Sequence, residues 1–120
     1  MNFADRCNAI EECYEFMLAY AGQGLTTDSG SQSGSQVRQY LRNAVAALTG
    51  LVDTVSDEGL TSSAFVKVLD RDAGDSLAAI ELVLAQPSIS SQLIDNLNAS
   101  IHLRALLTDL FLIDEVMKLR

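Results

Sequence analysis

Residues 3–21, FADRCNAIEECYEFMLAYA, decide the fold class. Phe3, Cys7, Ile10, Tyr14, Met17 and Ala21 follow one another at alternating steps of four and three, so at about 100° per residue all six fall on one stripe of a helix. Gly22 and Gly24 stop that helix. Asp5, Glu11, Glu12 and Glu15 lie off the stripe near the helix start, where the dipole favours their charge. Catalytic carboxylates need desolvation or a partner to tune them, so these acids read as a solvated face rather than as general acids or bases.

Downstream, residues 22–35, GQGLTTDSGSQSGS, have no periodicity and little surface to bury, which predicts a long flexible connection. A second stripe of Val37, Leu41, Ala44, Leu48, Leu51 and Val55 then repeats the same stepping up to Gly59. The third, Val66, Leu69, Ala73, Ser76, Ile80 and Val83, opens after the capping candidates Thr61, Ser62 and Ser63 and closes before Pro87. The last stripe, Ala99, Leu103, Leu106, Leu110, Ile113 and Met117, is flanked by enough further apolar residues to make its helix greasy over most of its circumference. No segment alternates in the manner of a strand. The expectation is an all-α chain with helices at 3–21, 36–57, 62–85 and 90–118, forming an antiparallel four-helix bundle with a long loop after the first helix.

Composition sets limits on the function. The chain has 120 residues, 48% of them apolar, and a formal charge of -8 from 16 acidic and 8 basic residues, which suits one domain, residues 1–120, with an acidic surface. Without a cluster of Lys and Arg there is no footprint for a phosphate backbone, so no nucleic-acid partner is expected. The opening MNFADRCNAIEEC lacks the basic start and apolar run of a secretory signal, and Leu103–Leu119 carries five charges, so the expectation is a cytoplasmic protein that does not span a membrane.

Catalytic and metal chemistry find little support. His102 is the sole histidine and Ala99 stands one turn before it, so a di-metal carboxylate centre lacks its ligands. Cys7 and Cys13, six apart on a helix, point in different directions; Cys7, on the stripe, reads as a small core residue. His102 reads as a surface histidine with Asn98 one turn before it; phosphotransfer domains place a histidine on a bundle this way and are similar in fold class, although Arg104 and Ala105 stand where their Lys-Gly is usual. Asn98-Ala99-Ser100 has the form of a glycosylation acceptor but falls within an expected cytoplasmic helix. No enzyme activity, metal or cofactor is expected.

One local motif resembles a known family. Asp75-Ser76-Leu77 followed by Ile80-Glu81-Leu82-Val83 is similar over about twenty residues to the Asp-Ser-Leu site of acyl carrier proteins. The resemblance implies phosphopantetheine on Ser76, at the start of a helix. Periodicity instead carries one helix straight through the site, with Ser76 in its seam. A third reading is a small-molecule-sensing bundle holding an apolar ligand among Tyr14, Met17, Phe65 and Phe111.

The leading expectation is a small acidic interaction module, an adaptor, chaperone or regulatory subunit, whose partner is another protein or a second copy of itself. Its basis is the surplus apolar surface of the fourth helix. Leu107, Phe111 and Leu112, displaced from the centre of that helix's stripe, are the expected contact of a homodimer.

Overall fold

The structure, a computed structural model, describes residues 1–120 as six α-helices and one 3-10 turn with no strands. The elements are α1 (Phe3–Ala21), α2 (Gln32–Leu48), a 3-10 turn (Val52–Thr54), α3 (Glu58–Thr61), α4 (Phe65–Leu84), α5 (Ser91–Ala99) and α6 (His102–Lys118). They enclose one cluster of 22 buried apolar residues in a body of 48 × 21 × 20 Å.

The first helix begins where a capping box closes on it. Asp5 N–H donates to Asn2 Oδ1 at 2.8 Å while the Asn2 N–H donates back to the Asp5 carboxylate. Its buried row is Ile10, Cys13, Met17 and Tyr20. That row is turned by roughly 60° from the stripe read in the sequence. The reason is that α1 packs chiefly on α2, where Phe16 stacks on Tyr40 with ring centroids 4.2 Å apart, so the Phe3, Cys7 and Tyr14 side of α1 is only half covered.

The connection after α1 is shorter than expected and is firmly held. Ser31 caps α2 by accepting the Gly34 N–H at 2.9 Å, so residues 32–35 are helical although their composition is poor for a helix. Gly34 is buried, and a Cβ there would run into the carbonyl of Asp28. Asp28 in turn accepts from the Ile89 N–H and from Arg38 Nε, both at 2.8 Å. Arg38 also donates to the carbonyls of Leu84 and Gln86 at 3.1 and 2.9 Å, closing the C-terminal end of α4 with a charge that α4 itself lacks. Alongside, the Tyr20 hydroxyl donates to Ile89 O and the Ser91 hydroxyl to Tyr20 O, both at 2.6 Å. A stretch that reads as flexible is thus bound to the corner between α4 and α5 by a chain of buried and half-buried hydrogen bonds.

Two further boundaries depart from the sequence reading. The second helix ends at Leu48, where Gly50 takes a left-handed φ of 78°. Leu51 still reaches the core from the turn, so the stripe outlasts the helix. The helix expected over 90–118 is broken into α5 and α6 at Ile101, which is left-handed at φ 60°. Nine residues separate Ile94 from Leu103, about 900° of turn, which in one unbroken helix would set these two buried side chains on opposite faces. The break resets the phase, so that α5 buries Ile94 and Leu97 against α1 while α6 buries Leu103, Leu106, Leu110 and Ile113 chiefly against α4. Much of the greasy circumference is therefore two stripes on two helices. By contrast α4 buries Leu69, Ala73, Ser76, Ile80 and Val83, the row its spacing predicts except for Val66, which is half-buried in the first turn.

Arg38→Ala is expected to lower stability by about 2 to 3 kcal/mol, since it strands Asp28 and two carbonyls at a partly buried site; chemical denaturation measures it. The Ile89 N–H and Arg38 hold the Asp28 carboxyl below its ordinary value, so its contribution is present above the usual carboxylate range and is lost as pH falls through the lowered value. Ile101→Gly relieves a β-branched residue of positive φ at an exposed site, and a gain of about 0.5 to 1 kcal/mol is expected in the same measurement.

Candidate functional site

The half-covered side of α1 faces α6 across a groove. Phe3 and Cys7 of α1 and Leu110, Phe111 and Met117 of α6 line a depression of about 430 Å³. A second of about 240 Å³, bordered by Tyr14, Glu15, Arg104 and Leu107, shares Glu11 and Phe111 with it, so the two form one trough. Phe111 stands 54% exposed in its wall and Met117 39% exposed. Burial first, then the charges of Glu11 and Asp114, push the Cys7 thiol up to about 11, so it remains a neutral part of the floor at physiological pH. Cys13 is pushed up to about 12 by burial alone and is sealed in the core.

Two of the three expected contact residues are in solvent. Phe111 and Leu112 are 54% and 51% exposed, whereas Leu107 is 4% exposed and belongs to the monomer core. The correction follows from geometry: Leu107 lies one turn after Leu103, and the buried face of α6 is wide enough to hold both rows. Leu112 and Leu119, seven residues apart, form a separate outward row.

Between α4 and α6 the structure brings together polar groups that spacing within either helix does not reveal. Burial, and then the Asp72 carboxyl opposite, push Asp109 up to about 7, and Asp109 Oδ2 is buried without a partner. A proton on Asp109 donated to Asp72 relieves both. Ser76, one turn beyond Asp72, is 1% exposed with its hydroxyl unpartnered. It sits mid-helix in α4, so it offers neither the exposed hydroxyl nor the helix start that the acyl-carrier resemblance implies. His102 is exposed at the first position of α6 and makes no bond to Asn98, whose Oδ1 is buried without a partner. Of the residues considered for a small ligand, Tyr14 and Phe111 share the trough while Met17 is fully buried elsewhere in the core.

A third depression, of about 440 Å³, separates the turn after α2 from α4 beside Gly74, but no large exposed apolar side chain lines it. No group of three or more His, Cys, Asp or Glu residues is placed to hold a metal ion, and no helix is long and apolar enough to cross a membrane. The chain matches no protein family, no curated protein and no solved structure.

The acid pair gives the protein a signed pH dependence. In the unfolded chain Asp109 loses its proton near its ordinary value of 3.8, in the folded chain near 7, so the folded state becomes less favourable as pH rises between the two and levels off above. Asp109→Asn should therefore raise stability at pH 8 by about 1 kcal/mol, after allowance for solvent screening, and change little at pH 4. Thermal melts at the two pH values measure the difference.

Proposed function

We propose that this chain is a small acidic protein–protein interaction module, an adaptor, chaperone or regulatory subunit of the cytoplasm and not a catalyst. One observation carries the reading. The apolar row of α1 that is best patterned in the sequence, Phe3, Cys7 and Tyr14, is left half covered beside a solvent-exposed Phe111, and soluble proteins rarely keep a contiguous apolar trough unless something docks there. The long helices read as an antiparallel four-helix bundle whose fourth member is the broken pair α5 and α6. In that arrangement α6 turns one row inward, one toward the trough and one outward.

Self-association is proposed for the outward row, where Leu112 and Leu119 meet their copies across a two-fold axis and remove two exposed leucines from water. Light scattering of the purified chain at micromolar concentration is expected to show a dimer. Leu112→Asp should convert it to a monomer of unchanged helical content, whereas Leu110→Asp, at a site 4% exposed, should unfold it. A wild-type monomer, or loss of helix in Leu112→Asp equal to that in Leu110→Asp, overturns self-association.

A further inference from the structure

The geometry points to a cationic amphipathic helix of a different protein as the occupant of the trough between α1 and α6. The inference rests on the interaction-module reading and adds the chemistry of the partner. Shape argues for a helix. Phe3 and Tyr14 lie eleven residues apart on α1, about 16 Å or three turns, and a trough flanked along that length by two helices is the seat a third helix takes in ridge-and-groove packing. An occupant with apolar residues at i, i+3 or i+4 and i+7 would cover Cys7, Leu110, Phe111 and Met117.

Charge argues for its sign. Glu11, Glu15 and Asp114 border the trough, with Glu115 beside them, against Arg104 and Lys118. Lys118 is shared between Asp114 and Glu115 at 3.1 and 3.3 Å. Arg6, the basic residue of α1, is turned away to the carbonyls of Ala46, Ala47 and Thr49. The rim therefore holds acids in excess, and Lys or Arg flanking an apolar stripe would meet them.

The same charge argues against a second copy in this seat. Of the exposed apolar residues on the outer faces of this chain's helices, Leu18, Leu82 and Leu112 have Glu15, Glu81 and Glu115 within three residues, so their insertion would oppose acid to acid; Ile101 and Leu119 lack such acids but stand at the two ends of α6, where they offer no helical stripe to insert.

The full chain contains no tryptophan, so a peptide carrying one reports binding without background. The probes are a helical peptide of about three to four turns built from Leu on one face and Lys on the other, with a single Trp, and its counterpart with Glu in place of Lys. Two readouts are needed: Trp fluorescence on titration, and the rate at which a neutral aromatic disulfide labels Cys7, the thiol not sealed in the core.

The Leu/Lys peptide is expected to bind and to slow Cys7 labelling, and the Leu/Glu peptide to do neither. Glu11→Gln with Glu15→Gln should weaken binding about fivefold. Glu81→Gln with Asp95→Asn removes the same charge away from the trough and should change affinity by less than about twofold. Equal weakening by both pairs of substitutions, or binding that leaves Cys7 labelling unchanged, overturns the inference, because attraction to an acidic chain in general would explain it. Binding of the Leu/Glu peptide with protection of Cys7 also overturns the cationic assignment while leaving the interaction-module reading in place. If neither peptide protects Cys7 in a chain of intact helical content, the trough loses its role as a docking surface altogether.

Discussion

Asp28 and Arg38 form the ion pair on which the arrangement of helices turns. Each makes the other's burial tolerable, and each also serves backbone that has no other partner: Asp28 takes the Ile89 N–H, Arg38 the carbonyls of Leu84 and Gln86. A half-buried charge pair alone adds little to stability, but one that satisfies three backbone groups at the corner of two helices fixes where those helices lie. The α1–α2 connection is therefore set by contacts on α4 and α5, far away in sequence. Gly34 completes the fit by admitting the Asp28 carbonyl where any side chain would exclude it.

The use of cations at helix ends shapes the surface as well. The chain has eight Lys and Arg against sixteen acids. Arg6 closes the end of α2 and Arg38 the end of α4, while Arg120 lies 3.4 Å from Asp57 at the cap of α3. Arginines committed to internal carbonyls do not neutralise the outer faces of the helices they come from. The acidic rim of the trough is thus partly a by-product of how the helix ends are satisfied, and partly of Glu11 and Glu15 standing on the exposed side of α1.

How much of this was legible in the sequence depends on whether local periodicity or tertiary contact decided the outcome. Helical content was legible throughout, and in α4 the spacing named the buried row, Ser76 included. In α1 it named a helix and, in Ile10 and Met17, half of its buried row, while Cys13 and Tyr20 are drawn inward by α2 and by the Ile89 carbonyl. A phase shift between Ile94 and Leu103 was present in the sequence and signals the break at Ile101; read without it, the two stripes merged into one oversized helix. The Ser and Gly of residues 29–35 concealed a capped helix start whose order comes from Asp28. Of the trough, Phe111 was legible as displaced from the core; its pairing with Phe3 and Cys7 was not, since no spacing within one helix reports which neighbour lies across from it. The Asp72 and Asp109 pair was hidden for the same reason.

The arginine at the end of α2 also bears on the order in which the chain takes shape. Arg6 leaves the ribosome forty or more residues ahead of the carbonyls it serves, those of Ala46, Ala47 and Thr49. Until then α1 holds a cation with no seat, and Arg38 of α2 waits in the same way for the end of α4. Such a chain gains its stops by mutual docking rather than one helix at a time, so its helix ends should protect their amides from solvent exchange only together with the whole fold.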